Sequence, residues 1–234
     1  MDLKTPRTRG TIILLGLLVL GFGGTAILGG TGWDLSWVSR FYTAGGLQGG
    51  WTHAREQPWG FFYDYGELPA IFLAIAAMAL YVAAKLEKAR REYAKSCMVV
   101  VLTVVLGPGL LVNGILKPQW GRPRPSDVAA MGGTEKYHKV WPPAAAKGGK
   151  SFPCGHCSMG FSLASGVAFY SFYPILSVCA LAGGLAFGVL LGVTRIIQGG
   201  HFPTDVLWSG ILVLMLIATL YYFVFRIPEQ TNSS

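Results

Sequence analysis

Side chains able to do chemistry are concentrated in three short stretches of this chain, residues 117–125, 152–158 and 194–205. Together the stretches contain cations, two histidines and one carboxylate, and each adjoins a long apolar run. Phosphoryl transfer needs such a set, because the migrating group carries negative charge that surrounding cations stabilise. The stretches therefore predict a site that binds an anion and transfers a phosphoryl group.

Three cations are expected to hold the phosphoryl oxygens, namely Lys117, Arg124 and Arg195. Arginine binds two such oxygens with its planar fork, and lysine acts as a point charge. Gly155 stands at the start of an apolar run, so a helix beginning there would add backbone N–H donors at close range. Each cation taken alone is typical of an interfacial anchor, but the three together favour a binding site.

Two histidines are expected to do the chemistry. His201 and Asp205 are four residues apart, so the carboxylate would bind one imidazole nitrogen and leave the other free to attack phosphorus. His156 is then available to protonate the leaving oxygen. Taken alone, Asp205 is typical of a helix cap and each histidine of a structural hydrogen-bonding residue. This set requires no metal ion and no other cofactor.

The composition is that of a membrane protein. Of the 234 residues, 52% are hydrophobic and 13% are charged, whereas soluble domains carry about 25% charged residues. The net charge of +8 is explained either by anchoring at the membrane surface or by the anion site. Nucleic acid is excluded as a partner, because no basic helix or nucleic-acid motif stands apart from the apolar segments.

Six apolar runs approach the roughly 20 residues that cross a bilayer. They predict an all-α, polytopic membrane protein with a single domain over residues 1–234. The predicted spans are residues 11–28, 68–84, 97–116, 156–172, 175–194 and 206–225. Because successive spans alternate in direction, the three chemical stretches are expected to lie at one membrane face.

An aromatic-rich segment follows the first span. Trp33, Trp37 and Phe41 are spaced at i, i+4 and i+8, which predicts an amphipathic helix lying at the interface. The segment is either an anchoring belt or a lipid-facing rim over the site.

Positive charges favour one orientation of the spans. Lys4, Arg7 and Arg9 precede the first span, and further cations fill residues 85–95 between the second and third. The positive-inside rule places both in the cytoplasm. The chemical stretches then face the opposite side of the membrane.

The three stretches resemble the motifs of the type 2 phosphatidic acid phosphatase family of lipid phosphatases, which are relatives of the vanadium haloperoxidases. That family is defined by K-x6-R-P, P-S-G-H and S-R-x5-H-x3-D, in that order. The matching residues are Lys117-x6-Arg124-Pro125, Pro153-Cys154-Gly155-His156 and Thr194-Arg195-x5-His201-x3-Asp205. Cys154 and Thr194 stand where the family has serine.

The resemblance implies a role for each residue. His201 would form a phosphohistidine, Asp205 would orient it, and His156 would act first as acid and then as base, without a metal. Lys117, Arg124 and Arg195 would bind phosphate, with Cys154 and Gly155 lending donors. The implied partners are the bilayer and a phosphorylated lipid: lipid A, phosphatidylglycerol phosphate, undecaprenyl pyrophosphate or phosphatidate. The implied location is a bacterial inner membrane, with the site facing the periplasm. Arg122 and the surrounding sequence Trp-Gly-Arg-Pro-Arg-Pro resemble the lipid A phosphatase branch of the family.

Two other functions fit some of the same residues. A lipid-to-lipid phosphotransferase would use the same site with another acceptor in place of water. The string Cys154-Gly-His-Cys157 is a C-x-x-C motif, which is typical of thiol–disulfide oxidoreductases, although no βαβ pattern surrounds it. In an oxidising compartment its thiols would pair, and Cys154 would lose its donor. The residues indicate no oligomeric state.

Overall fold

The computed structural model describes residues 5–144 and 148–227, except for the side chains of residues 88–90. Every regular element in these ranges is helical, which confirms the predicted all-α class. The α-helices are α1 Pro6–Gly30, α2 Trp33–Ser39, α3 Trp59–Tyr65, α4 Leu68–Leu86, α5 Ala94–Val104, α6 Lys117–Trp120, α7 Gly155–Ser162, α8 Pro174–Ile197 and α9 Pro203–Ala218. Lys4, one of the cations used to predict orientation, lies outside the described residues.

Three of these helices continue in a different helical form. A π-helical stretch, Val105–Leu116, joins α5 to α6 and contains Pro108, which cannot donate a backbone hydrogen bond. α7 continues as the 3-10 helix Leu163–Phe169, and α9 ends in the π-helical turn Thr219–Val224.

Within the described ranges, five helical stretches are long and apolar enough to cross a membrane. They are Pro6–Gly30, Trp59–Leu86, Arg91–Trp120, Pro174–Ile197 and Pro203–Val224, and they correspond to five of the six predicted spans. The predicted span over residues 156–172 is not confirmed. Its place is taken by the short α7 and its 3-10 continuation.

Small residues explain why α7 differs from the other spans. A Cβ on Gly160 would lie 2.8 Å from the Cα of Gly188 in α8. A Cβ on Gly184 would overlap the backbone of Ala164. Such close approach of two backbones needs glycine at the contact, and it surrounds α7 with protein rather than lipid. Packing against α8 therefore fixes the position of α7, the helix that carries His156.

The aromatic segment forms a shorter helix than its spacing predicts. Gly32, in the left-handed region at φ 77°, separates α1 from α2. Trp33 and Trp37 are exposed along α2, at 53% and 43%. Phe41 lies beyond the end of α2 and packs against the main core cluster. The predicted stripe is therefore wrong at Phe41, because the chain turns inward after Ser39.

The packing of the 3-10 continuation of α7 on α8 gives a prediction that compares two adjacent glycines. Gly184→Ala should lower the free energy of unfolding by about 1–3 kcal/mol, because its methyl group meets the backbone of Ala164. Gly183→Ala is the matched control, since a methyl group at residue 183 would have no other group within 4 Å. Thermal unfolding in detergent, followed by tryptophan fluorescence, measures both. Equal midpoints for the two variants would contradict this packing.

Candidate active site

Backbone hydrogen bonds from residues that directly flank the chemical stretches join the three stretches. The N–H of Ser126 donates to the carbonyl of Gly199 at 3.0 Å, which ties the first stretch to the third. The N–H of Ser151 donates to the carbonyl of Arg122 at 3.0 Å, which ties the first to the second. Three parts of the chain that are far apart in sequence thus meet at one end of the helices.

The first part of the phosphate cradle lies where α7 begins. A Cβ on Gly155 would stand 3.3 Å from the Nζ of Lys117 and 2.9 Å from the side-chain oxygen of Asn113. A side chain at residue 155 would therefore fill the space in front of the lysine. α7 begins at this glycine, and the N–H groups at the start of a helix favour an anion.

The two arginines of the cradle carry buried N–H groups. Within the described ranges, the Nε atoms of Arg124 and Arg195 are buried without a hydrogen-bond partner. Arg195 also donates from Nη1 to Gln198 at 2.6 Å, and its guanidinium lies against Gly200. Buried donors of this kind are costly unless a ligand accepts from them, and phosphate oxygens are suited to do so.

His201 and Asp205 lie side by side in the interior. His201 is 2% exposed and Asp205 is fully buried. Nδ1 of His201 lies 3.7 Å from Oδ2 of Asp205, beyond hydrogen-bond range but within the range of a strong charge interaction. Nδ1 therefore faces the carboxylate, and the opposite ring atom, Nε2, is left to face a substrate.

The surroundings of His201 keep its imidazole neutral. Burial lowers the pKa of His201 to about 4. The Asp205 carboxylate acts in the opposite direction, whereas the positive charges of Arg195 and Lys117 add to the effect of burial. At neutral pH the ring carries a free lone pair, which is the form required of a nucleophile.

Arg122 makes a buried ion network behind His201. Its guanidinium is completely buried, and it donates to Asp34 Oδ2 at 2.6 Å and to Asp205 Oδ1 at 2.5 Å. Two further N–H bonds reach the hydroxyl of Thr204 at 2.8 Å and the carbonyl of His138 at 2.9 Å. Burial disfavours the charged guanidinium, but the two carboxylates outweigh it and raise the pKa of Arg122.

Comparison with known proteins agrees with this geometry. The PAP2 superfamily matches residues 96–229, more than half of the chain. The chain belongs to this superfamily. It is an integral membrane lipid phosphatase, as the three stretches predict.

Individual PAP2 relatives are similar over different lengths. The chain is 30% identical over 229 residues to the lipid A 4′-phosphatase of Francisella tularensis subsp. novicida, covering 93% of this chain and 97% of the relative. It is 31% identical over 147 residues to the lipid A 4′-phosphatase of Rhizobium leguminosarum, covering 61% and 60%. It is 29% identical over 138 residues to the lipid A 1-phosphatase of Rhizobium etli, covering 56% and 55%. No solved structure matches the chain.

The prediction for Cys154, which stands where the family has serine, requires a correction. Cys154 forms a disulfide with Cys157, and its N–H donates to the hydroxyl of Ser209 at 2.8 Å. Neither its sulfur nor its backbone is left to bind phosphate, so the predicted donor role of Cys154 is wrong in this state. Both sulfurs are buried, whereas a thiol–disulfide oxidoreductase needs an accessible one.

The predicted serine equivalent in the third stretch is Thr194, whose hydroxyl bonds within its own helix. It donates at 3.0 Å to the carbonyl of Leu190 in α8, and the residue is 1% exposed. The Thr194 hydroxyl therefore makes a structural contact in this structure.

Several residues of the site were missed by sequence reasoning. Ser151 donates from its hydroxyl to Asp205 Oδ2 at 2.6 Å. Glu67 lies 3.3 Å from Nδ1 of His156, and Tyr63 stacks on the same imidazole at 5.1 Å between ring centroids. An acidic residue directly before a predicted span, on the face shared by the three stretches, was the available signal for Glu67. Within the described ranges, no group of three or more His, Cys, Asp or Glu side chains is arranged to hold a metal ion.

The ion network gives a prediction with a matched control. Asp34→Asn removes one of the two carboxylates that face Arg122, so it should lower the free energy of unfolding by about 3–5 kcal/mol and reduce turnover. Asp64→Asn breaks the exposed pair with Arg55 and should change stability by about 0.5 kcal/mol or less. Thermal unfolding in detergent and phosphate release measure both effects. The network assignment fails if the two variants behave alike.

Proposed function

We propose that this phosphatase removes the 4′-phosphate of lipid A through a phosphohistidine intermediate. The observation that carries the proposal is the buried, neutral His201 beside Asp205, together with three cations from two of the stretches, Lys117 and Arg124 in the first and Arg195 in the third. The choice of lipid is supported by the relative of that name, which matches over nearly its whole length.

The proposed location is a bacterial inner membrane, with the site facing the periplasm. Arg7 and Arg9 lie at the start of α1, at the opposite end of the helix from Asp34 and its partner Arg122. Lys85, in the last turn of α4, and Lys95, in the first turn of α5, reinforce the same assignment by the positive-inside rule. The disulfide at Cys154 also fits an oxidising compartment.

The whole chain, residues 1–234, is proposed to act as one domain. Asp34 lies outside the range matched by the superfamily, yet it accepts hydrogen bonds from Arg122 and Thr204 within that range. The N-terminal segment therefore contributes to the same buried network.

Substrate binding places the phosphate where its charge is neutralised. Lys117, Arg124 and Arg195 surround its oxygens, and the first N–H groups of α7 donate to it. Gly155 leaves room for this approach. The cradle residues lie at the ends of membrane-spanning helices. The lipid tail therefore stays in the bilayer while the phosphate is bound at the membrane face.

In the first step, Nε2 of His201 attacks phosphorus and a P–N bond forms as the bond from phosphorus to the lipid oxygen breaks. His156 gives its proton to that leaving oxygen. The imidazole of His201 gains positive charge in this step. Asp205, 3.7 Å from Nδ1, stabilises that charge.

In the second step, water attacks the phosphohistidine. The neutral His156 takes a proton from the water, the P–N bond breaks, and inorganic phosphate leaves with His201 restored. The same three cations stabilise the charge on the oxygens in both steps.

A panel of substrates tests the proposed function. Purified protein should release phosphate from lipid A that carries a 4′-phosphate faster than from lipid A that carries only a 1-phosphate, phosphatidylglycerol phosphate, undecaprenyl pyrophosphate or phosphatidate. His201→Ala should abolish release, and His53→Ala, at an exposed histidine outside the site, should not. Preference for another substrate would overturn the lipid assignment. Transfer of the phosphate to a second lipid would indicate a phosphotransferase.

The environment of His201 predicts its titration. Because its pKa is lowered to about 4, the imidazole should stay neutral from pH 8 down to about pH 5 and become charged only as the pH falls through about 4. The chain has four histidines, so ¹⁵N chemical shifts of histidine-labelled protein, assigned with single His→Gln variants, measure this directly. Titration of His201 above pH 6 would contradict a neutral resting nucleophile.

A further inference from the structure

Two residues from the N-terminal half of the chain reach into the proposed site. Tyr63 lies in α3 and Glu67 directly precedes α4, so both lie outside the range matched by the superfamily. Nevertheless, both contact His156 in α7. The helix pair α3 and α4 thus forms one wall beside the histidine that the proposed mechanism uses as its acid.

Glu67 faces one particular nitrogen of His156. Its Oε1 lies 3.3 Å from Nδ1, with the two side chains 42% and 27% exposed. A carboxylate at this distance favours a proton on Nδ1 and fixes the orientation of the ring. The other nitrogen, Nε2, then faces away from Glu67 and carries the proton that can be transferred.

The charges around His156 oppose one another. Burial, the largest effect, and the positive charges of Arg195 and Lys117 favour the neutral ring and on balance lower the pKa of His156. Glu67 opposes them, as does the backbone carbonyl of Tyr63, and together these are the groups that face the imidazole. A general acid must be protonated before it can act. A histidine placed among cations therefore needs a nearby negative charge, and Glu67 supplies it.

Tyr63 adds a planar contact. Its ring is stacked on His156 with an interplanar angle of 7°, and the guanidinium of Arg195 lies 4.7 Å from its centroid. Arg55 lies 5.2 Å from the same centroid. An aromatic ring attracts cations to its face, so Tyr63 contacts both the proposed acid and one proposed phosphate-binding arginine.

We propose that Glu67 is a positioning residue that orients His156 and favours its protonated form when the leaving oxygen departs, with Tyr63 fixing the plane of the ring. The inference rests on the proposed function, in which His156 acts as acid and base. The site then contains two carboxylate–imidazole pairs. Asp205 serves the nucleophile His201, and Glu67 serves the acid His156.

The test compares two leaving groups. A lipid alkoxide needs a proton as it leaves, whereas the nitrophenolate of an aryl phosphate leaves without one. Glu67→Gln should lower kcat on the lipid roughly 10²-fold, within the range for lost acid catalysis, and lower kcat on nitrophenyl phosphate by about threefold or less. Glu67→Asp, which keeps the charge, should recover part of the lipid activity.

A matched control lies on the same chain. Glu56 forms a similar pair with His53, at 2.6 Å between Oε2 and Nδ1, but both side chains are more than half exposed. Glu56→Gln should leave turnover of both substrates unchanged. This comparison separates a specific role for Glu67 from a general effect of removing a surface charge near a histidine.

The pH profile gives an independent readout. Turnover should fall as the pH rises and His156 loses its proton. Without the negative charge of Glu67, this alkaline limb should move about one pH unit lower in Glu67→Gln. Tyr63→Phe keeps the stacked ring and should leave the limb in place.

Each outcome bears on the proposal. Equal losses on lipid and aryl phosphate, with an unmoved alkaline limb, would overturn it and leave Glu67 with a structural role. Unchanged lipid turnover in Glu67→Gln would overturn it as well. If the aryl phosphate is not hydrolysed, the alkaline limb on the lipid decides alone. Failure of the wild-type protein to release phosphate from any lipid would instead refute the proposed function.

Discussion

The site depends on the contacts that the Arg122 guanidinium makes with the two carboxylates between which it is buried. It joins Asp34 in α2, the loop after α6, and Asp205 in α9. Moving such ions out of water costs several kcal/mol for each ion unless they are paired and hydrogen-bonded. If any one of these segments were displaced, charged side chains would stay buried without partners. The network therefore selects the arrangement in which Asp205 lies beside His201.

This shared use of Asp205 has a consequence for the proposed chemistry. Its Oδ1 accepts from Arg122, and its Oδ2 accepts from Ser151 at 2.6 Å and from the N–H of Phe202 at 2.8 Å. His201 is left at 3.7 Å, too far to be held as a charged imidazolium in the resting protein. The carboxylate then interacts most strongly once the ring becomes positive. Preference for the transition state over the ground state is what accelerates a reaction.

The positive residues of the site were predictable because charge is rare in this chain. Lys117, Arg124 and Arg195 stand at the ends of apolar runs, and their spacing to two histidines is specific. Asp34 and Glu67 were not predictable in the same way, since each looks like an ordinary interfacial acid until folding brings it to Arg122 or His156. Sequence spacing identifies site residues that lie close together at one end of a helix. It does not show which residue from a distant part of the chain contacts them in the folded protein.

The helices were predicted less evenly than the motifs. Long apolar runs identify spans when they face lipid, and within the described ranges five of them form helices long and apolar enough to cross a membrane. The run after residue 155 is apolar for another reason. Its glycines and serines pack against α8, as Gly160 does against Gly188, and hydropathy does not distinguish protein neighbours from lipid. The same packing fixes α7, the helix whose first turn is proposed to bind the phosphate.

Trapping the covalent intermediate tests the central claim most directly. Enzyme mixed with lipid substrate labelled with ³²P, and quenched in alkali within milliseconds, should carry label that is stable to base, labile to acid and located on the peptide containing His201. His201→Ala should carry none. Label on any other residue, or single-turnover phosphate release with no labelled protein at any time, would contradict a phosphohistidine at His201.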